Sequence, residues 1–519
     1  MPSSAAEQRR KWLIVVVMSM ATLVVSVDNT ILNVALPTIT RTLGASAAQQ
    51  QWIIDAYSLV FACLLLVAGA LGDRFGRRLT LCVGLIWFGT SAIYSAAGSS
   101  PTDLIIGRAL MGLGAAFIFP STLSVLTTTF TDPKERGKAI GVWASISSIS
   151  MVIGPISGGI LVEHFGWHSV FLVNVPFCAL TVIGALRYVP KGDKDTTRKF
   201  DPLGSALSIV AVGALLMAII QGPEWGWTSF SVIASLGVAI AMFWFFFRWE
   251  RSTPNPMLDV KIFRHPVFAS AALAVTLTVF ASFGSSFLTT VYFQFAQGFS
   301  ALRSGLMIVP VAVAMISLGP HVSKIVNRFG TRNVMTCGLG ILSGALVMHS
   351  VDAILSSLWW GALARFLLGI GMGLIMPPAT MAVMSSLPST HAGVGSAIND
   401  TTRQTGGALG VAIIGSLASS VYRHQFRLPP GIPVEAAAKA RESIAGAIVA
   451  GSKLPGAAGR DLAQAGRLAF IQAAHYGYLA SATVTLTTMV IVWRHVTNSG
   501  LVDHRRVAPE VAVPVDLVS

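Results

Sequence analysis

Long runs of apolar residues, separated by short polar segments, make up most of this 519-residue chain. A helix of roughly 20 mostly apolar residues is needed to cross the hydrocarbon core of a bilayer. The pattern predicts an all-α integral membrane protein with about fourteen transmembrane helices, at 12–36, 50–71, 80–98, 104–126, 138–161, 168–188, 202–221, 229–248, 267–292, 303–320, 333–350, 354–376, 393–420 and 474–494.

Basic residues alternate between the two ends of these runs. If the chain starts in the cytoplasm, the inner segments hold most of the lysines and arginines, whereas the short outer loops hold only Arg41 and Arg303. Cytoplasmic loops carry such an excess of positive charge. The asymmetry predicts an even number of spans and cytoplasmic termini. The first apolar run is longer than a signal peptide, so we expect it to remain as a helix.

The composition excludes a protein surface that is mainly exposed to water. Charged residues are 11% of the chain, against roughly 25% in soluble domains. A net charge of +14 is typical of nucleic-acid binders, but here the charges lie between apolar runs and not on one face. The four cysteines have no metal-ligand spacing. We therefore expect lipid as a partner, and no nucleic acid, metal or other cofactor.

An internal repeat relates the two halves of the chain. Residues 108–120, RALMGLGAAFIFP, match residues 365–377, RFLLGIGMGLIMP, at six of thirteen positions, and 74–78 is similar to 328–332. Repeats of this kind build the two halves of secondary transporters, with the substrate site between them. The repeat spacing leaves room for two additional helices within 202–248.

This repeat predicts a division of the chain into two bundles and a linker. The second bundle includes a long outer loop, 421–473, in which 434–450 is predicted to form an amphipathic helix. The predicted parts are a cytoplasmic N-terminus 1–11, a six-helix bundle 12–190, two linker helices with their flanking loops 191–265, a second six-helix bundle 266–495 and a cytoplasmic tail 496–519.

The loop after the second predicted helix places an aspartate among glycines and arginines. Glycine permits a tight turn and close helix approach, and a carboxylate can accept from helix amides or arginine. The loop resembles the gating signature of the major facilitator superfamily. The resemblance implies a role in conformational change for Gly69, Gly72, Asp73, Arg74, Gly76, Arg77 and Arg78.

Further stretches, in order along nearly the whole chain, resemble the fourteen-helix drug:proton antiporter branch of that superfamily. They are VDNTILNVALP at 27–37, RALMGLG at 108–114, GPISGG at 154–159, WHSVFLVNVP at 167–176 and GSAINDTTRQTGG at 395–407. The resemblance implies the major facilitator fold, with two six-helix bundles and two extra central helices.

The GPISGG stretch lies on the fifth predicted helix. Proline removes a helix hydrogen bond, and glycine lets a partner helix approach closely. Together with the resemblance, this predicts an antiporter kink on which one helix rocks against its neighbour; generic tight packing is the alternative. The residues concerned are Gly154, Pro155, Gly158 and Gly159.

Ionisable residues within the apolar runs are candidates for proton coupling. Such residues cost roughly 2.5–3.5 kcal/mol each on insertion scales, so they are retained mainly for function. Asp28 and Arg108 are the main candidates, with Asp400 and Asp55. The alternatives are a hydrogen-bonded structural role for Asp28, neutralisation of Asp400 by Arg403 one turn away, and an interfacial, hydrated position for Asp55.

Substrate contacts are expected from polar and aromatic residues in the same helices. Tyrosine can stack on a cationic aromatic compound, although tyrosine and tryptophan are also common anchors at the membrane interface. The candidates are Asn33, Tyr57, Tyr292, Asn399 and Arg403.

The resemblance implies a secondary active transporter that exports lipophilic, often cationic drugs in exchange for protons, by alternating access. The sequence leaves open a dedicated exporter of one natural product, antibiotic, siderophore or lipid, and a membrane sensor that does not transport. An enzyme is not expected, since no phosphate-binding loop or nucleophile motif occurs. We expect a monomer in the bacterial plasma membrane.

Overall fold

Long helices joined by short turns account for most of the described chain. The computed structural model describes residues 4–496, apart from 46, 192–200, 254–255, 259, 261–263, 265, 356 and 386–391. The predicted cytoplasmic tail and part of the predicted linker loops therefore lie outside the described residues.

The first half of the chain contains six membrane helices. Polar caps and prolines define where several of them begin. Ser100 Oγ accepts from the Asp103 amide at 3.2 Å, and Asp103 Oδ2 accepts from the Ser100 amide at 2.9 Å, which satisfies two amides at the start of the fourth helix. The helices are α1 (Ser4–Leu43), α2 (Ala47–Phe75), α3 (Arg77–Ala97), α4 (Pro101–Thr129), α5 (Pro133–Phe165) and α6 (Ser169–Leu172 and Asn174–Tyr188).

The second half begins with two additional helices and continues with six more. The loop before the last helix contains two short helices, α14 and α15. The elements are α7 (Pro202–Trp225), α8 (Phe230–Ser252), α9 (Pro266–Val291, with a π-helical end Tyr292–Ala296), α10 (Ala301–Leu306, Val309–Leu318, Gly319–His321 and Val322–Phe329), α11 (Thr331–Leu355), α12 (Leu358–Ser385), α13 (Ala392–Gln425), α14 (Val434–Glu442), α15 (Ile444–Ser452) and α16 (Gly456–His495).

Each of the fourteen predicted spans corresponds to one of these long helices. Among the described residues, thirteen helices are long and apolar enough to cross a membrane by length and composition. The fourteenth predicted span lies in α5, which has 33 residues but begins with the charged sequence PKERGK. The predicted all-α membrane fold is confirmed.

Three elements differ from the prediction in detail. The span predicted at 303–320 is interrupted, because Pro310 and Pro320 lack the amide that a continuous helix would use, and it continues to Phe329. The amphipathic helix predicted at 434–450 is divided at Ser443, which is extended and whose side chain caps α15. The last helix begins at Gly456, so its first turns belong to the predicted outer loop.

Two hydrophobic cores correspond to the two bundles. One is built mainly from α1–α6 and the other mainly from α9, α11, α12, α13 and α16. A small third core joins Ala62 and Cys63 of α2 and Ala412 of α13 to α7. The first additional helix, α7, therefore packs beside the line where α2 of one bundle meets α13 of the other, and α8 packs against α7.

The repeated RxxxGxG sequence makes the same kind of packing in both halves. A Cβ on Gly112 would lie 2.5 Å from the carbonyl of Tyr57 in α2, and one on Gly114 would lie 2.8 Å from the Phe88 amide in α3. In the second half, Gly369 packs against Val311 of α10, and Gly371 packs against α11. These glycines bring α4 and α12 to backbone contact with the two preceding helices.

Candidate functional site

Asp28 and Arg108 form a buried ion pair in the first bundle. Each side chain is 1% exposed, and Arg108 Nη1 donates to Asp28 Oδ2. Asn174 of α6 donates to the other carboxylate oxygen at 3.0 Å. The two strongest sequence candidates are therefore brought together, and three helices contribute to the pair.

Arg108 is held at three points. Its Nε donates to the carbonyl of Ile53 in α2 at 3.1 Å, and its guanidinium lies 4.2 Å from the centre of the Tyr57 ring. Gly112 lies one turn further along α4 and permits the close approach to α2 that these contacts need. A planar guanidinium can make a fork of hydrogen bonds and stack on an aromatic ring at once, which an ammonium cannot.

The GPISGG glycines bring α5 against α1 next to this ion pair. A Cβ on Gly154 would overlap the Thr30 side chain, and one on Gly158 would lie 2.8 Å from Ile31 Cγ1, whereas one on Gly159 would meet nothing within 4 Å. Thr30 Oγ1 donates to the Ser150 carbonyl at 3.1 Å. The helix runs without interruption through this stretch, and the side chain of Pro155 lies outside the described residues.

The loop with the predicted gating role joins the two bundles. Asp73 is 5% exposed and accepts from the amides of Gly393 at 2.9 Å and Val394 at 3.1 Å, at the start of α13. Arg77 forms an ion pair with the same carboxylate at 3.1 Å. A carboxylate at a helix N-terminus satisfies unpaired amides and interacts favourably with the helix dipole.

The neighbouring glycines permit this contact. A Cβ on Gly69 would lie 2.6 Å from the Gly393 carbonyl, whereas one on Gly72 would make only ordinary contacts with Thr80. Gly76 has a φ of 98° and turns the chain between α2 and α3. Arg78 donates to the Val189 carbonyl at 3.1 Å, and Arg74 lies over the ring of Phe75.

Asp400 lies buried on α13, apart from the first ion pair. It is 2% exposed; Oδ1 accepts from Asn399 Nδ2 at 3.3 Å, and Oδ2 has no hydrogen-bond partner. The Asn399 side-chain oxygen Oδ1 in turn accepts from Thr380 Oγ1 at 3.2 Å. Arg403 is half-buried and its guanidinium faces the Trp143 ring, 5.9 Å from its centre. It interacts with Asp400 electrostatically, without a direct hydrogen bond to either carboxylate oxygen.

A chain of aromatic rings connects the two charged positions. Successive ring centres of Tyr57, Phe61, Phe119 and Trp143 are 5.9, 5.7 and 6.2 Å apart. Arg108 faces the first ring and Arg403 faces the last. We call this row of four residues the aromatic row.

The remaining candidates are Asp55, Tyr292 and Asn33. Asp55 is half-buried on α2, two residues before Tyr57. Tyr292 is buried in the second bundle, where Gln297 Nε2 donates to its hydroxyl at 2.7 Å. The Asn33 side chain lies outside the described residues, although its backbone belongs to α1.

Two residues of the site were not among the sequence candidates. Asn174 occurs in the WHSVFLVNVP stretch, and a polar residue inside an apolar run was the available signal. Trp143 is fully buried, and its Nε1 donates to Thr22 at 2.7 Å and to Thr122 at 3.2 Å. Nothing in the sequence separated this tryptophan from the interfacial ones.

The chain forms two bundles of membrane helices that enclose buried charges. The bundles meet where a carboxylate of one caps a helix of the other. These features define a membrane transport protein. The family model described as Major Facilitator Superfamily matches residues 18–411. The chain belongs to this superfamily, and it is a multi-pass membrane protein.

Several relatives are similar over nearly their full length. The methyl viologen resistance protein SmvA of Salmonella typhimurium is 33% identical over 93% of this chain and 98% of its own. The multidrug efflux pump LfrA of Mycolicibacterium smegmatis is 34% identical over 90% and 93%. The tetracenomycin C resistance and export protein of Streptomyces glaucescens is 30% identical over 93% and 91%.

Solved structures support the fold. The human organic anion transporter MFSD10 covers 93% of this chain and 99% of its own, with a TM-score of 0.63 and 14% identity. The proton:xylose symporter XylE covers 95% and 97%, with a TM-score of 0.58 and 13% identity. At these identities the likeness concerns the fold alone.

Proposed function

We propose that this protein exports lipophilic, often cationic compounds in exchange for protons, by alternating access. The observation that carries the proposal is the Asp28–Arg108 ion pair, which is buried in a membrane helix bundle. Ionisable groups in such a position are costly and mark ion or proton pathways. The relatives named for drug resistance and efflux support the same class of transport.

The exchange rests on protonation of Asp28. A proton on Asp28 Oδ2 would remove the charge that Arg108 neutralises, and Arg108 would then be held by Ile53 and Tyr57 alone. Loss of the proton restores the ion pair. If access to Asp28 alternates between the two sides of the membrane, the proton is taken up on one side and released on the other.

The aromatic row and Asp400 support a lipophilic cation as the substrate. Aromatic faces attract cations within about 6 Å of the ring centre, and two arginines already occupy such positions here. A substrate cation that reaches this row would compete with them. Asp400, which has an unpartnered oxygen, would provide a negative partner; Asn399 and Arg403 lie beside it.

The orientation follows from the distribution of positive charge. We propose that both termini and the Asp73 end of the bundles face the cytoplasm of a bacterial cell, and that the loop with α14 and α15 lies outside. The Asp73–α13 contact then closes the cytoplasmic side, and its release opens that side. We further propose two six-helix bundles with α7 and α8 as linker helices, transport by a monomer, and no catalysis.

The test uses purified protein in liposomes with an acidic interior, where proton efflux would drive uptake of ethidium. The native protein should accumulate dye only while the pH gradient lasts, and Asp28→Asn should not. Asp103→Asn is the matched control, because this half-buried acid caps α4 outside the ion pair. Dye uptake by Asp28→Asn at the native rate would contradict the proposed proton site.

A dedicated exporter of one compound is the second candidate. The observation that favours it is the 30% identity to the tetracenomycin C export protein, whose name refers to one compound. A panel of structurally unrelated lipophilic cations and neutral aromatic compounds separates the two. Gradient-dependent transport of a single member supports the dedicated exporter, and transport of several supports multidrug efflux.

A further inference from the structure

A second cluster of buried charged and titratable groups lies in the second bundle. It is formed by His349 and Asp352 of α11, Arg365 of α12 and Tyr478 of α16, each at most 7% exposed. We call these four residues the distal cluster. It lies at the end of the bundle opposite to Asp73, because Asp352 is near the end of α11 and Arg365 is two turns into α12.

Arg365 is the repeat counterpart of Arg108, but its contacts are different. Its guanidinium lies over Phe293 at 5.0 Å, and its Nε is buried without a hydrogen-bond partner. An arginine that is 4% exposed and has an unpartnered Nε is costly in a membrane protein. Packing of the bundle does not explain why a charged residue occupies this position.

Asp352 supplies the negative charge near Arg365. Both side chains lie against Gly361: a Cβ there would overlap Asp352 Oδ2 and would lie 3.1 Å from Arg365 Nη1. Asp352 Oδ1 accepts from the Ser357 amide at 3.1 Å. The two charges are close enough to interact, yet they do not form a direct ion pair of the kind that holds Asp28.

The other groups that face this pair are also titratable. His349 lies one turn from Asp352, with Nδ1 2.8 Å from the Ala345 carbonyl and its ring 5.4 Å from that of Tyr478. The Tyr478 hydroxyl lies 2.9 Å from Thr289 Oγ1 of α9. Tyr292 faces Arg365 from the end of α9, and His475 of α16 contacts Ser350 beside the cluster.

We propose that the distal cluster is a second proton-binding site, in which Asp352 takes up a proton from the aqueous side that its end of the bundle faces. The proposal rests on the proposed antiport and adds a second proton to each transport cycle. The proton binds to Asp352 Oδ2 on that side and leaves from the same atom to the opposite side once access to the cluster has alternated, so a proton crosses the membrane and no other bond is made or broken. Arg365 positions the carboxylate electrostatically.

The geometry leaves one oxygen of Asp352 available for a proton, whereas protonation of Asp28 must displace a hydrogen bond. Asp28 has both oxygens occupied by side-chain donors, Arg108 and Asn174, whereas Asp352 is held on one oxygen by a backbone amide. Its other oxygen faces a cation that it does not contact directly. Protonation of this oxygen therefore breaks no ion-pair hydrogen bond, and the Ser357 bond to Oδ1 remains.

The experiment separates one-proton from two-proton exchange. Exchange of two protons for one monovalent cation moves net charge, so a membrane potential alone should drive ethidium uptake; one-for-one exchange is electroneutral. In liposomes without a pH gradient, a potassium-diffusion potential that is positive inside should drive uptake by the native protein, because two protons leave for each cation that enters. Asp352→Asn should lose the response to potential and keep the response to a pH gradient.

Two variants serve as controls. Asp352→Glu keeps a protonatable group and should retain the response to potential, and Asp103→Asn, a helix-capping acid of the first bundle, should retain both responses. Asparagine still accepts from the Ser357 amide, and the thermal midpoint in detergent checks folding. If Asp352→Asn keeps both responses or loses both, or if the native protein responds to a pH gradient but not to potential, the second site is refuted.

A direct measurement makes this result independent of the substrate. If the native protein moves no dye under either gradient, the proposed substrate class fails while the cluster can still be tested. Purified native protein and Asp352→Asn are then acidified in weakly buffered detergent solution, and proton uptake is counted. Uptake of one proton fewer by Asp352→Asn supports the site, and equal uptake contradicts it.

Discussion

Asp28 has partners on two other helices, so its role in stability can be separated from its role in transport. Both members of the pair with Arg108 are almost fully buried. Removing one partner of a buried ion pair leaves an uncompensated charge, which costs about 3–5 kcal/mol, whereas replacing both with apolar residues is often neutral. We therefore expect that the pair is not needed for folding as such.

We expect Arg108→Met to lower stability by about 3–5 kcal/mol, because Asp28 is left buried without its cation. The double variant Asp28→Leu with Arg108→Met should recover much of this loss, yet should not couple transport to protons. Thermal unfolding in detergent and gradient-driven dye uptake measure the two effects. A double variant no more stable than Arg108→Met would mean that the pair itself stabilises the bundle.

At the scale of the element, α5 offers a comparison within one motif. Gly154 and Gly158 face α1, but Gly159 faces open space. The motif is therefore divided between positions where glycine is needed for close packing and one where it is not. The hydrogen bond from Thr30 to Ser150 lies beside the close contact and connects it to the helix that carries Asp28.

We expect Gly154→Ala to destabilise the protein by about 1–3 kcal/mol, since an added methyl group overlaps Thr30 and overpacking costs this much. Dye uptake should fall as well, because α1 and Asp28 are displaced. Gly159→Ala is the matched control and should leave both the thermal midpoint and the uptake rate unchanged. Equal effects of the two substitutions would exclude close packing as the reason for the motif.

At the scale of the whole molecule, the contact of Asp73 with the start of α13 holds the two bundles together at one end. The carboxylate accepts from two backbone amides and pairs with Arg77. Hydrogen bonds to charged groups contribute about 1.5–3 kcal/mol each. A contact of this size can hold one conformation of the transporter without preventing the other.

We expect Asp73→Asn to shift the protein towards the state in which this end is open, because asparagine lacks the charge and has one acceptor oxygen in place of the two that accept from the Gly393 and Val394 amides. Spin labels at Phe75→Cys and Phe329→Cys, two exposed positions at this end of different bundles, report the distance in a variant without native cysteines. The population with longer distances should increase about tenfold or more, since 1.4 kcal/mol corresponds to a factor of ten.

Gly72→Ala provides the control for this measurement. Gly72→Ala would make only ordinary contacts with Thr80 and should leave the distance distribution unchanged, whereas Gly69→Ala, which meets the Gly393 carbonyl, should lengthen it. An unchanged distribution in Asp73→Asn would show that the carboxylate does not hold the closed end.

The membrane class, the places of the fourteen helices and the repeat could all be predicted from the sequence, because spanning helices are local and each must be apolar along its own length. It also identified Asp28 and Arg108 as unusual, since a charge inside an apolar run is visible without a structure. The interruption of α10 and the early start of α16 were not predicted. Prolines within an apolar run do not show where a helix is interrupted, and a segment that was predicted as an outer loop gave no sign that a helix begins in it.

Which buried groups contact each other could be seen only in the tertiary structure. Asp28 pairs with Arg108 across 80 residues, and Asn174 reaches the same carboxylate across 146. Arg403 is one turn from Asp400 in sequence, yet it faces Trp143 of another helix. Asp352 and Arg365 came together at Gly361, between two helices. Such contacts depend on how each helix is rotated and packed against its neighbours, and side chains distant along the chain fix that arrangement.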